Sequence, residues 1–253
     1  SNPADTLALH SRDNAPMSRI YAQRGFTLVE IAIVLVIIGL LLGGILKGQE
    51  LITSARVRNL ADQNSGIQAA YYGFIDRYRQ VPGDWPATNA AQAIPGVTTG
   101  GNANGRLDAA GGSEWTESLA LWEQLSKSGF IQGHFVGGTG APSAAETDRA
   151  PRNAFNGFVM LYRTDDYFDV SAAPSERLNL VLGRGIPVNV IRELDLKIDD
   201  GFPQTGVMRQ ARTGGAKLGE LGQSSASCVD SSADPDIWHI AANAQDCNAV
   251  YLY

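Results

Sequence analysis

One uninterrupted apolar segment constrains this chain more than any other feature. Residues 26–46 contain a single ionisable side chain, that of Glu30. A helix of about 20 residues, rising about 1.5 Å per residue, spans roughly 30 Å, which is the thickness of a bilayer's hydrocarbon core. The segment therefore predicts one membrane-spanning helix with a carboxylate at its polar end.

The carboxylate of Glu30 needs an explanation at this depth. A charge close to hydrocarbon loses the water that stabilises it, and such charges usually have a functional partner. The simplest alternative is a signal anchor that carries a glutamate near its polar end. Conventional signal peptidase prefers small residues before its cut and removes the apolar segment together with the leader.

The sequence Gly-Phe-Thr-Leu-Val-Glu at residues 25–30, followed by the apolar run, resembles the class III signal of type IV pilins and pseudopilins. The likeness extends over about residues 17–80. It implies that a prepilin peptidase cleaves after Gly25, before the apolar helix, and methylates the new amino group of Phe26. It also implies that Glu30 is the carboxylate used in assembly.

A physical argument supports pairing between Glu30 and the new amine of Phe26. Cleavage would leave a cationic N-terminus in a nearly dry helical bundle, where a buried positive charge needs a partner. The four-residue spacing permits a contact within one chain, and the carboxylate of a neighbouring subunit is the alternative. The sequence does not choose between these pairings.

The residues before the cut have the composition of a leader. Residues 17–25 include Arg19 and Arg24 and no acidic residue, and basic flanks tend to stay cytoplasmic. We therefore expect residues 1–25 to be a leader peptide. Residues 1–16 either precede a translation start at Met17 or form a disordered extension.

Helical periodicity continues beyond the membrane-spanning segment, which we expect to end at about residue 46. Apolar residues recur at three- and four-residue intervals on one face, and the other face is polar. Proline and glycine at residues 82–83 oppose continuation, so we predict an N-terminal helix over residues 26–80. The predicted buried stripe comprises Leu51, Ala55, Leu60, Asn64, Ile67, Tyr71, Phe74, Ile75 and Tyr78.

Residues 81–253 are predicted to form a globular head with mixed secondary structure. With the resemblance, this predicts an α+β fold, in which a long N-terminal helix packs on a head containing an antiparallel β-sheet. The predicted elements of the head are helices over 114–128 and 187–198, loops over 83–112 and 137–153, and strands over 155–162, 178–182, 207–211, 237–240 and 250–253.

The two cysteines, Cys228 and Cys247, lie near the C-terminal end of the sequence. Neither belongs to a Cys-x-x-Cys motif, and no residue at metal-finger spacing accompanies them. In an exported domain we expect a disulfide, which would stabilise the fold by about 3 kcal/mol in the loop-entropy model. Two buried free thiols are the alternative. By resemblance, residues 228–247 would be the C-terminal disulfide loop of type IV pilins, which major pseudopilins usually lack.

One head segment has features of a calcium loop. Asn102, Asn104 and Asp108 place oxygen ligands at the required spacing around a turn-forming glycine. Gly100 at the first ligand position and Gly111 at the closing position depart from that pattern. Major pseudopilins bind calcium in their heads, so calcium is the one cofactor that we consider. Other acidic candidates, for which a solvated turn is the simpler interpretation, are Asp199, Asp200, Asp230, Asp234 and Asp236.

Charge and motifs argue against other functions. Without residues 1–25, which hold three arginines and two aspartates, the chain has 17 basic and 24 acidic residues. Binding of phosphates normally needs a basic patch, so we do not expect nucleic acid to be a partner. The three histidines are isolated, and no nucleophile elbow, zinc-binding helix motif or phosphate-binding loop is present. We therefore expect no enzymatic activity.

We predict a structural subunit of a type IV pilus-like filament that serves adhesion, motility or DNA uptake. Its expected partners are prepilin peptidase, which also methylates, further pilin copies, the bacterial inner membrane and the assembly platform. The chain would cross the inner membrane once before assembly and lie in a periplasmic or extracellular filament afterwards. Two alternatives stay open: a pseudopilin of type II secretion, and a membrane-anchored periplasmic binding protein that never polymerises. Major and minor pilins are not distinguished, nor is any receptor or cargo.

Overall fold

A computed structural model describes residues 25–171 and 173–253. The chain divides into two compact units, Ser1–Gly48 and Gln49–Tyr253. Most of the predicted leader and the predicted start at Met17 lie outside the described residues.

The described part of the first unit is dominated by the beginning of helix α1, Leu28–Tyr78. Every residue from 25 to 47 is exposed. The segment is long and apolar enough to cross a membrane, and none of its most apolar stretch is buried. The predicted long apolar helix is therefore confirmed, and it ends two residues earlier than expected. Arg79 takes a positive φ of 56°, a left-handed conformation that often ends helices.

The second part of α1 has a buried face. The predicted stripe is correct from Leu60 onward in most positions, but Leu51 and Ala55 are exposed. Periodicity identifies the face of a helix and not the residue at which its packing partner begins. The buried residues of α1 are Val57, Leu60, Asn64, Ile67, Ala70, Tyr71 and Phe74.

In the described residues of the head, three further α-helices accompany six short strands. The helices are α2 (Ala87–Ala93), α3 (Trp115–Lys127) and α4 (Val188–Ile198). The strands are β1 (Met160–Thr164), β2 (Arg177–Val181), β3 (Met208–Gln210), β4 (Val229–Asp230), β5 (Ile237–Trp238) and β6 (Ala249–Leu252).

The main sheet has the strand order β1-β2-β6-β3 and is antiparallel throughout. Strand β6 is central, because it pairs with β2 on one side and with β3 on the other. Strands β4 and β5 form a separate antiparallel pair, and α3 lies against β1. The predicted α+β class with an antiparallel sheet is therefore confirmed.

Several predicted boundaries are wrong for local reasons. The segment 83–112 is not all loop, because it contains α2. The first strand starts at Met160 because the Asn153 side chain closes a turn, accepting the N–H groups of Phe155 and Gly157. The strand predicted over 237–240 stops after Trp238, where a 3₁₀ turn begins.

Candidate functional site

The start of α1 is closed by a reciprocal pair of side chains. The Glu30 backbone N–H donates to Thr27 Oγ1 at 3.2 Å, and Glu30 Oε2 accepts the Thr27 backbone N–H at 2.8 Å. The Thr27 hydroxyl also donates to Glu30 Oε2 at 2.9 Å. This is a capping box, which satisfies backbone donors that the first turn of a helix otherwise leaves unpaired. Its Thr-x-x-Glu spacing is visible in the sequence, although the expectations above give Glu30 only an assembly role.

The predicted cleavage residues lie immediately before this cap. Gly25 and Phe26 precede the first helical residue, and the Phe26 side chain is 82% exposed. The bond between them therefore lies outside the helix. In this chain the Phe26 nitrogen is part of a peptide bond and has no charge. The predicted pairing of its amine with Glu30 thus belongs to the cleaved form.

Behind the cap, α1 exposes apolar side chains on all of its faces. Soluble proteins rarely expose a continuous apolar surface of this extent, which is typical of segments that contact lipid or other apolar helices. The large apolar residues exposed in this segment are Phe26, Leu28, Val29, Ile31, Ile33, Val34, Leu35, Val36, Ile37, Ile38, Leu40, Leu41, Leu42, Ile45 and Leu46.

The predicted cysteine pair lies in the head. Cys228 and Cys247 are joined by a disulfide and are fully buried. The Cys247 backbone also forms a bridge with Ile186, so one end of the loop is fastened beside the sheet. The loop encloses β4 and β5 and presents Ile237 and Ile240 to solvent.

The calcium candidates of the loop at residues 102–108 bond mainly to one another. Asn104 Nδ2 donates to Asp108 Oδ1 at 2.9 Å, and Asn102 Oδ1 accepts the Asn104 backbone N–H at 3.0 Å. Asn104 Oδ1 accepts the backbone N–H of Arg106 at 2.9 Å. The three side chains therefore build the local turn, and calcium binding by them stays a prediction.

Two buried carboxylates, which the sequence does not mark, hold this loop from beneath. Asp84 accepts the backbone N–H groups of Asn104 and Gly105 at 3.1 and 2.8 Å. Glu117 accepts those of Asn102 and Asp108 at 3.1 and 2.9 Å. Burial raises the pKa of Glu117 to about 7, and its two backbone hydrogen bonds oppose the rise.

Comparison with known proteins adds one match. Residues 20–46 fit the family model described as the prokaryotic N-terminal methylation motif. No curated protein matches the chain. The matched range ends within α1 and includes Gly25, Phe26, Thr27 and Glu30, so the capped helix start and the motif coincide. The chain therefore carries, at residues 20–46, the class III signal that type IV pilins and pseudopilins share.

Proposed function

We propose that this protein is a structural subunit of a type IV pilus-like filament, held together through the first half of α1. The observation that supports this most directly is the coincidence of the methylation motif with a helix that has no buried apolar residue before Val57. The role that we assign to the chain is accordingly structural. The exposed apolar surface of α1 can be covered by lipid before assembly and by the helices of other subunits in the filament.

Processing is the first step of the proposal. Prepilin peptidase cuts between Gly25 and Phe26 and methylates the new amine, which leaves a cation at the start of α1. Because the residues around it are apolar, this cation needs a carboxylate close by. Glu30 is the only ionisable residue in the apolar segment, and we assign it that role.

Assembly then exchanges the partners of Glu30. In the uncleaved chain its carboxylate accepts two hydrogen bonds from Thr27. In the filament, pairing with the Phe26 amine of a neighbouring subunit would replace or share these bonds and favour one register between helices. The head, with its disulfide loop, would form the outer surface.

A pseudopilin of a type II secretion system is the second candidate, because it shares the motif. The disulfide between Cys228 and Cys247 favours a pilin over a major pseudopilin. Deletion of the gene separates the two: loss of motility or adhesion with secretion intact supports a pilin, and the reverse result supports a pseudopilin.

The test of the main proposal is mass spectrometry of filaments sheared from the cell surface. We expect an abundant chain that begins with N-methylated Phe26. Processed protein that stays in the cell envelope would indicate a minor pilin or a pseudopilin. An intact Gly25–Phe26 bond in cells with active prepilin peptidase would reject the assignment and leave a membrane-anchored binding domain.

A further inference from the structure

Three aspartates converge at the C-terminal end of α4. Asp195 lies in the last turn of α4, Asp199 is the C-cap residue of the helix, and Asp200 is the next residue. One carboxylate oxygen from each residue lies within 4.8 Å of those of the other two. The three differ in burial, because Asp195 is fully buried, Asp199 is half-buried and Asp200 is exposed.

The buried carboxylate of Asp195 is only partly satisfied. Its Oδ2 accepts the indole N–H of Trp238 at 2.7 Å. Its Oδ1 is buried and has no hydrogen-bond partner among the described residues. Within the same described residues, no lysine, arginine or histidine forms an ion pair with any of the three aspartates. A buried carboxylate in this state is costly unless a proton or a cation neutralises it.

The other two aspartates are held in place by the turn that follows α4. Asp199 Oδ2 accepts the backbone N–H groups of Val207 and Met208. Asp200 accepts the Phe202 backbone N–H at 2.9 Å and the Thr205 hydroxyl. A carboxylate has about four lone-pair positions, so these bonds leave capacity for a further ligand. The cluster is therefore positioned before anything binds.

We propose that Asp195, Asp199 and Asp200 bind a divalent cation of the calcium type. Such ions prefer carboxylate and carbonyl oxygens, and the remaining positions can be filled by water. The negative end of the α4 dipole points toward the same place and also favours a cation. The site differs from the candidate loop at residues 102–108.

One further observation fits this assignment. Asp200, the exposed member of the cluster, lies in the wall of a cavity of about 640 Å³ together with Trp238, so solvent reaches the cluster at this residue.

The bond between Asp195 and Trp238 gives the cation a structural consequence. Trp238 lies in β5, inside the loop closed by Cys228 and Cys247. A cation on Asp195 would therefore join the end of α4 to the disulfide loop. Cation binding by the head does not require filament formation, so it can be tested on the unassembled chain.

Terbium luminescence of the full chain in detergent micelles tests the proposal, because Tb³⁺ occupies calcium sites and is excited by a nearby tryptophan. We expect saturable emission that Ca²⁺ displaces. Asp195→Asn should weaken Tb³⁺ binding at least tenfold. Asp200→Asn, at an exposed residue with little effect on folding, should do the same. The matched control is Asp148→Asn, which removes an exposed aspartate elsewhere and should leave binding unchanged.

Trp238→Phe locates the bound ion. We expect it to remove most of the sensitised emission, although Trp85, Trp115 and Trp122 remain. If Trp238→Phe keeps the emission of the unaltered chain, the proposal is overturned and the ion lies elsewhere, such as the loop near Trp85. Absence of saturable emission in the unaltered chain would also overturn it.

Discussion

The two parts of α1 share one conformation and have opposite surroundings. From Leu28 to residue 47 every side chain is exposed, whereas from Val57 onward seven side chains are buried in the core of the head. The buried stripe is explained by contacts within the subunit. Among the described residues, the first part of α1 has no such contacts for its apolar surface. An apolar surface that the described fold leaves exposed is therefore the best place to look for function.

This comparison makes a general prediction. Changes in residues 25–46 should abolish assembly without affecting the stability of the head. Changes in the head core should lower stability without affecting cleavage. The predictions below test the two statements in order of decreasing effect.

The largest effect is expected for Gly25→Leu. A bulky side chain before the cut should prevent processing, because the class III signal places glycine there, and filaments should disappear. Mass spectrometry of the membrane fraction would show whether the leader is retained. Gly66→Ala is the control, because a Cβ at that exposed helical position meets no atom within 4 Å. Normal filaments from Gly25→Leu would contradict the proposed processing.

Glu30→Gln should be next. The amide can still accept the Thr27 hydrogen bonds, but it cannot neutralise the Phe26 amine, so we expect filament yield to fall at least tenfold with cleavage retained. Asp62→Asn removes an exposed carboxylate from the second part of the same helix and should have no effect. Equal filament yields from Glu30→Gln and Asp62→Asn would show that assembly does not need the charge of Glu30.

Removal of the disulfide tests the head. The double variant Cys228→Ser, Cys247→Ser should lose about 3 kcal/mol of unfolding free energy, because the unfolded chain regains the freedom of the closed loop. Denaturant unfolding of the full chain in micelles measures the change in unfolding free energy. Cleavage after Gly25 is measured in the same variant and should be unchanged. Impaired cleavage in this variant would break the proposed independence of the two regions.

Glu117→Gln tests the buried support of the loop at residues 102–108. The amide group offers one acceptor oxygen in place of two, so either the Asn102 or the Asp108 N–H loses its partner. Leaving a buried donor unpaired costs about 1–3 kcal/mol. Glu193→Gln on the exposed side of α4 is the matched control. Equal unfolding free energies for the two variants would show that the loop does not need this carboxylate.

The smallest effect concerns pH. The folded pKa of Glu117, about 7, lies above its ordinary value of 4.5. The folded head therefore binds more protons in this interval, and Glu117 contributes stability that is complete below pH 4.5 and lost as pH rises toward 7. Unfolding curves between pH 4.5 and 7 should show a decline that is shallower in Glu117→Gln; an unchanged slope would contradict the assignment.

Features that depend on residues close together in the sequence could be predicted, and features that depend on distant residues could not. Helix α1 and the signal around Glu30 depend on residues that are neighbours in the chain, so pattern alone finds them. Pro187 likewise predicts the start of helix α4. The roles of Glu117 and Asp195 depend on partners far along the chain, such as Trp238, and no local pattern shows which backbone N–H or indole will meet a given carboxylate.

The loop held by Asp84 and Glu117 has a consequence for sequence change over time. Residues 102–106 are all exposed, and the two carboxylates bind only their backbone and that of Asp108. The side chain of Arg106 can therefore be replaced while the loop keeps its shape, whereas Asn102 and Asn104 also hold the turn through their own side chains. Gly101 is constrained too, since a Cβ there would meet Glu117 Oε1 at 2.2 Å. We therefore expect substitutions in this loop to be tolerated at Arg106 and not at Gly101, Asn102 or Asn104.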